Sequence, residues 1–134
     1  CWVRKGVTVG KEFISPEGVH QPRGYSHAVR VGNTIYVAGQ VAWDEQRRVV
    51  PGGFEAQATQ ALENLKRVLA AAGASLKDVV KVNTYLKDIN DAPQYRKLRE
   101  RYFTPPLPAS TLVQIAGLAA PELLIEIEAV AVVE

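Results

Sequence analysis

The sequence predicts an α+β fold in which two helices cover one face of a mixed sheet. Two segments carry apolar residues at helical spacing, and they alternate with segments rich in β-branched residues. Gly, Pro or Asn bound most of these segments, and no internal repeat or linker interrupts them. Residues 1–134 are therefore expected to form a single domain.

The composition excludes several classes of protein. The 134 residues are 47% hydrophobic and 22% charged, which is typical of a globular chain with its own core. A net charge of +2 with scattered basic residues makes nucleic acid an unexpected partner. The lone cysteine, Cys1, and the absence of metal-ligand spacing predict neither a disulfide nor a metal site. No apolar run reaches about 18 residues and no signal peptide is recognisable, so we expect no membrane partner and a cytoplasmic location.

The first elements predicted with clear patterns are a hairpin and a helix. Two runs rich in β-branched and aromatic residues, between Ser26 and Trp43, flank a tight turn at Gly32-Asn33. A helix follows and ends at Gly73, which is expected to be its C′ residue. Its apolar stripe consists of Phe54, Ala58, Ala61, Leu62, Leu65, Val68, Leu69 and Ala72.

A capped turn and a strand come next. Ser75 and Asp78 have the spacing of a capping box. The strand is predicted because apolar and polar residues alternate after this turn, which leaves one face buried. That face is expected to consist of Val80, Val82, Thr84 and Leu86.

The second helix is bounded by polar and proline residues. Asn90 or Asp91 is expected to be its N-cap, and Pro93 lies in its first turn. The helix is expected to stop before Pro105 and Pro106. Its apolar stripe is predicted to be Tyr95, Leu98 and Tyr102.

Two strands close the chain. In the first, Ser110, Leu112 and Gln114 share one face. In the second, Glu126 and Glu128 lie opposite a wholly apolar face formed by Ile125, Ile127, Ala129 and Ala131.

The sheet face without helices is predicted to be too apolar to face water. We expect self-association to cover it, and a ring of subunits around a central barrel would suit this geometry. The apolar residues expected on this face are Leu112, Leu124, Val130 and Val132.

Three stretches of the chain resemble one family closely. They are GYSHAVRVGNTIYVAGQV, QATQALENLKRVLAAAGASLKDVVKVNTYLKDIND and IEIEAVAVV, and the likeness runs from about Ser15 to Val133. The sequence resembles the Rid (YjgF, reactive-intermediate deaminase) family. The resemblance implies a chorismate-mutase-like fold and a homotrimer that binds a small-molecule ligand in clefts between neighbouring subunits. It also implies cofactor-free hydrolysis of enamines and imines, such as 2-aminoacrylate, to 2-keto acids and ammonia.

The resemblance also implies a set of cleft residues. Tyr25 matches the family's tyrosine, Gly39 its cleft glycine, Asn90 its asparagine and Glu126 its last-strand glutamate. Glu126 and Tyr25 are therefore the candidate catalytic residues. The candidate substrate-binding residues are Ser110, Gly39, Asn90, Arg23, Ala38 and Leu112.

The chain departs from the family pattern at two of these positions. The family's serine before Gly39 is Ala38, and its P-A-R-S has become Pro108-Ala109-Ser110-Thr111, so the arginine that would bind the substrate carboxylate is Ser110. Losing a bidentate arginine removes a charge-assisted interaction worth about 1.5–3 kcal/mol. The deaminase activity is therefore expected to be reduced or redirected.

Other roles remain open for this chain. Arg23 lies two residues before Tyr25, and an active deaminase with Arg23 as the carboxylate clamp is one alternative. A non-catalytic interaction module, or a ribonuclease or translation inhibitor like some relatives, is another, although the absent basic patch argues against RNA.

Several of the singled-out residues also have ordinary structural explanations. Glu126 can instead be a solvated or ion-paired residue, a role that Glu128 could equally fill, and Asn90 can simply cap a helix. His27 and His20 are not expected to be catalytic, and His20 is expected in a loop.

Overall fold

Seven strands form one sheet in the protein, seen in a computed structural model that describes residues 10–134 and the backbone of residues 3–8. The elements in chain order are β1 (Val3–Thr8), β2 (Lys11–Pro16), β3 (Ala28–Val31), β4 (Thr34–Gln40), α1 (Gly53–Ala71), β5 (Val79–Leu86), α2 (Ala92–Arg99), β6 (Ala109–Gln114) and β7 (Ile125–Val132). The strand order is β1-β2-β3-β4-β7-β5-β6. Only the β5–β6 pair is parallel, so the predicted mixed sheet with two helices is confirmed.

The predicted hairpin and first helix are both present. Strands β3 and β4 meet at Gly32-Asn33, and Gly32 has a φ of 59°, which glycine adopts without steric cost. Helix α1 ends where expected, and Gly73 follows it with a φ of 86°. The predicted apolar stripe of α1 is buried against the sheet. The β1–β2 hairpin is an addition that the sequence patterns did not predict.

The predicted buried face of β5 needs one correction. Val82, Thr84 and Leu86 are buried as expected, but Val80 is 47% exposed and Val79 is buried in its place. The pairing of β5 with β7 shifts register between Val79 and Lys81. An extra residue of this kind reverses the alternation on one side of the bulge.

The second helix has Asp91 as its N-cap and ends before the prolines, as predicted, but its apolar stripe is shorter than predicted. A 3₁₀ turn (Ile89–Asp91) precedes α2, and the Asp88 side chain accepts a hydrogen bond from the Asn90 backbone N–H at 2.9 Å. Asn90 is therefore not the residue that caps the helix. Helix α2 ends at Arg99, before the two prolines, and Tyr102 lies beyond it with its hydroxyl donating to Glu63 at 2.9 Å.

The sheet face without helices carries apolar side chains among polar and charged ones, and not all of the apolar residues are those that were predicted. Leu112 and Leu124 pack against the core on the helix side, and for Leu112 the reason is its pairing with the buried Thr84 in the parallel β5–β6 register. Val132 is 38% exposed, in line with the prediction. We call this surface the open face, and its side chains include Tyr36, Tyr85, Val113, Glu126, Glu128, Val130 and Val132.

In the part of the chain that the structure describes, no helix is both long enough and apolar enough to cross a membrane.

Candidate functional site

Glu126 lies on β7, and its side chain is on the open face beside β4. Pairing between β4 and β7 is irregular between Val37 and Gln40, and Gly39 lies in this irregular segment. A Cβ at Gly39 would lie 2.6 Å from Cδ and 2.9 Å from Cγ of Glu126. Only glycine therefore leaves room for the carboxylate in this position. Ala38 precedes it in β4 and donates its backbone N–H to the His27 carbonyl at 2.8 Å.

The Glu126 carboxylate is half-buried and has no partner among the side chains of residues 10–134. Burial raises its pKa above the usual glutamate value, and the charge of Glu128 raises it further. Nothing within residues 10–134 donates a hydrogen bond to it or pairs with it. Glu128 instead accepts hydrogen bonds from Asn83 (3.1 Å) and from the Tyr85 hydroxyl. Glu128 thus fills the structural role, and the raised pKa of Glu126 suits a group that takes up and releases a proton.

Tyr25 lies in the loop before β3 and is 41% exposed. Its hydroxyl is 2.8 Å from Nε2 of His20. Burial raises the pKa of Tyr25, the charge of Arg47 opposes this, and the charge of Glu126 adds to it. Glu126 therefore lies close enough to Tyr25 to influence the ionisation of the tyrosine.

Two buried histidines, His20 and His27, lie beside Tyr25, and no pattern in the sequence predicts them there. Nε2 of His27 donates to the His20 carbonyl at 2.7 Å, and Nδ1 of His27 accepts from Gln40 at 3.1 Å. The His20 ring packs edge-on against His27 (4.7 Å between centroids) and Trp43 (4.9 Å). Burial lowers the pKa of His20 to about 4, helped by the charges of His27 and Arg47. A neutral imidazole thus holds the tyrosine hydroxyl at neutral pH.

The positive charge that acts on Tyr25 belongs to Arg47. Its guanidinium lies over the Trp43 ring, 4.1 Å from the centroid, and donates to the Gln21 carbonyl at 3.4 Å. Arg23 is exposed, and it makes no hydrogen bond or ion pair with any side chain of residues 10–134.

The remaining predicted residues lie on the other side of the sheet. Ser110 pairs with the buried Val82, so Ser110 and Leu112 face the helices, whereas Glu126 faces away from them. Asn90 is exposed, in the 3₁₀ turn before α2. Within one chain the sheet therefore separates two groups of predicted residues. One group is Tyr25, Ala38, Gly39 and Glu126, and the other is Ser110, Leu112 and Asn90.

A cavity of about 250 Å³ lies beside Ser110, between α2 and β6. Two of its lining residues are joined by a hydrogen bond, in which Nη1 of Arg99 donates to Oγ of Ser110 at 3.2 Å. The cavity is lined by Val82, Arg96, Arg99, Glu100, Phe103, Leu107, Pro108 and Ser110. Across residues 10–134, no cluster of three or more His, Cys, Asp or Glu side chains is arranged to hold a metal ion.

Comparison with known proteins decides the family. The model of the family described as "Endoribonuclease L-PSP" matches residues 18–133. The crystal structure of RidA from a Psychrobacter species superposes with a TM-score of 0.82 at 38% identity, covering 87% of this chain and 94% of that one. This chain belongs to the Rid family. The resemblance seen in the sequence is thereby confirmed, together with the fold that it implies.

Two further relatives in the Rid family carry names or ligands that bear on chemistry. A protein of Dermatophagoides farinae called "2-iminobutanoate/2-iminopropanoate deaminase" is 39% identical over 126 residues, which is 92% of this chain and 98% of that protein. The structure of Escherichia coli TdcF was solved with bound serine. It superposes with a TM-score of 0.80 at 28% identity, covering 88% of this chain and 94% of that one.

Proposed function

We propose that the protein hydrolyses small imines or enamines in clefts formed between copies of the chain. The observation that carries this proposal is the Glu126 carboxylate, which lies half-buried against Gly39 and has no partner among residues 10–134. Burial and the charge of Glu128 raise its pKa. The name of the D. farinae relative supports the reaction class, and the serine bound to TdcF supports an amino-acid-sized ligand.

The reaction needs little beyond orientation and one proton carrier. Water adds to the carbon of the C=N bond, and Glu126 accepts a proton from this water. Glu126 then returns the proton to the nitrogen. The hydroxyl proton of the carbinolamine then passes to the nitrogen through Glu126, the C–N bond breaks, and a carbonyl product and ammonia are released. The carboxylate therefore ends the cycle as it began. Tyr25, fixed by His20, is suited to hold the water or the substrate beside Glu126.

A cleft between subunits follows from the two separated groups of residues. Glu126 and Ser110 lie on opposite faces of the sheet, so one ligand contacts both only where two chains meet. The open face carries Tyr36 (53% exposed) and Val113 (41% exposed), which favours its burial against other copies. We therefore propose the homotrimer around a central barrel that the family resemblance implies.

Ser110 is a poor match for the substrate carboxylate, because its side chain is neutral. A hydroxyl contributes a weaker interaction than a bidentate arginine, so activity on 2-imino acids is expected to be lower than in arginine-bearing relatives or shifted to other substrates. For the alternative with Arg23 as clamp, Arg23→Ala is expected to abolish activity. Unchanged kinetics would remove that alternative.

The test is ammonia release from 2-iminobutanoate, generated in situ from 2-aminobutanoate by an amino-acid oxidase. The wild-type protein is expected to accelerate release above uncatalysed hydrolysis, and Glu126→Gln is expected to remove the acceleration. Glu55→Gln is the control, because it makes the same change at an exposed position on α1, away from Glu126. The proposal fails if the wild type gives no acceleration with this imine or with 2-aminoacrylate, or if both variants behave alike.

A further inference from the structure

We infer that Arg99 binds the carboxylate of the ligand in the cavity between α2 and β6, in place of a cation on the strand at Ser110. The site is specific for a short aliphatic acid such as a 2-keto or 2-imino acid. The inference rests on the proposed function only for the statement that a reacting imine is the natural ligand.

Two contacts hold the Arg99 guanidinium beside the strand. Nη1 donates to Oγ of Ser110 at 3.2 Å, and Cζ lies 5.5 Å from the centroid of the Tyr95 ring. Tyr95 is itself fully buried, and its hydroxyl accepts a hydrogen bond from Thr84 at 3.2 Å. An arginine has five N–H donors, so the Ser110 contact leaves most of the fork available to a carboxylate.

The charge of Arg99 is not neutralised by an ion pair with any carboxylate of residues 10–134. In the stretch from residue 10 to residue 134, no carboxylate forms an ion pair with Arg99 or with Arg96, which lines the same cavity one turn earlier on α2. Glu100 also lines the cavity, so the three charged side chains leave it with an excess of one positive charge. An anion is therefore the complementary ligand.

The rest of the cavity limits the size and chemistry of the ligand. Val82, Phe103 and Leu107 line the same cavity and give it apolar side chains beside the guanidinium. The volume of about 250 Å³ is below the range of pockets that hold drug-sized molecules. A carboxylate attached to a short alkyl chain matches both the charged side and the apolar side.

The position of the Arg99 guanidinium depends on the size and charge of the residue at position 110. A small hydroxyl at 110 lets the guanidinium approach to 3.2 Å, whereas a second arginine there would place two positive charges in the same space. Arg99 and Ser110 therefore form an alternative to a strand arginine, with the cation supplied from the helix.

Binding of 2-oxobutanoate tests the inference without requiring turnover. Isothermal titration calorimetry is expected to show about tenfold to hundredfold weaker binding by Arg99→Gln, since a charge-assisted pair is lost. The matched control is Arg101→Gln, which removes the same charge near the same end of the helix but lines a different cavity, beside Glu63 and Tyr102. This control is expected to bind as the wild type does. The double variant Arg99→Gln/Ser110→Arg is expected to recover binding, because it returns the cation to the strand.

Equal binding by Arg99→Gln and wild type, or equal losses in both single variants, would overturn the inference. If Arg99→Gln does not fold, the Nε–H resonance of Arg99 in the wild-type protein replaces it. That resonance is expected to shift on addition of 2-oxobutanoate, and an unmoved resonance at saturation refutes the inference. If the wild type binds 2-oxobutanoate through Arg99 but releases no ammonia from imines, only the proposed function is wrong. If the wild type releases ammonia and Arg99→Gln has the same KM, only the inference about Arg99 is wrong.

Discussion

Acidification is expected to destabilise the fold through His20, the buried ring that holds Tyr25. His20 is 1% exposed, and its pKa is lowered from 6.5 to about 4. The unfolded chain therefore binds more protons than the folded chain between these two values, so the free energy of unfolding falls as the pH falls. The change that tests this is His20→Gln, which keeps a side chain able to hydrogen-bond Tyr25 but does not titrate.

The size of the effect follows from the two pKa values. A tenfold change in proton affinity corresponds to about 1.4 kcal/mol, so the full loss is about 3 kcal/mol once His20 is charged in both states. About 2 kcal/mol of this loss is expected by pH 5, where most other side chains have not yet changed charge. The contribution is fully present above pH 6.5 and disappears as the pH falls towards 4.

Urea unfolding at pH 7 and pH 5, followed by tryptophan fluorescence, measures this difference. Trp43 packs on His20 and reports on the site. The protein concentration is kept constant, because self-association adds to the apparent stability. The wild type is expected to lose about 2 kcal/mol more than His20→Gln between the two pH values. Other groups titrate in both proteins and cancel in the comparison. Equal losses in the two proteins, or an NMR titration of His20 with a midpoint near 6.5, would refute the reasoning.

Two further outcomes are expected from substitutions on the open face. Gly39→Ala is expected to displace the Glu126 carboxylate and lower the rate of ammonia release about tenfold to a hundredfold with little loss of stability, since the side chain that must move is flexible. Gly117→Ala is its control, because a Cβ there meets nothing within 4 Å, and similar activity in the two variants would contradict the expectation. Tyr36→Glu is expected to convert the proposed oligomer to folded monomers in sedimentation analysis, because it adds a charge to the open face. An unchanged mass would count against that interface.

The regular elements were predictable because their signals are local. The stripe of α1 and the alternation of β7 involve residues a few positions apart, and both are buried as expected. The exposed Val80 and the helix-facing Leu112 were not predictable in this way. A bulge and a strand pairing are decided by the neighbouring strands, and alternation alone does not say which face the helices cover.

Only the residues of the candidate site that match the family pattern could be predicted from the sequence. Glu126 and Gly39 were singled out together, and they do lie in contact. The roles of His20, Arg47 and Arg99 depend on partners brought near by folding, such as Trp43 stacking on Arg47. One signal was available for Arg99: the spacing of Arg96 and Arg99 places both on one face of a helix that leads into the strand of Ser110.

The separation of Glu126 from Ser110 by the sheet has a genetic consequence. If each cleft takes its proton carrier from one chain and its anion site from the next, two chains with different inactivating substitutions can restore activity in a mixed assembly. A mixed assembly of Glu126→Gln chains with Arg99→Gln chains contains some clefts in which both contributing faces are intact. Co-expressed inactive alleles would then complement, and diluting the assembly would switch the activity off without unfolding a single chain.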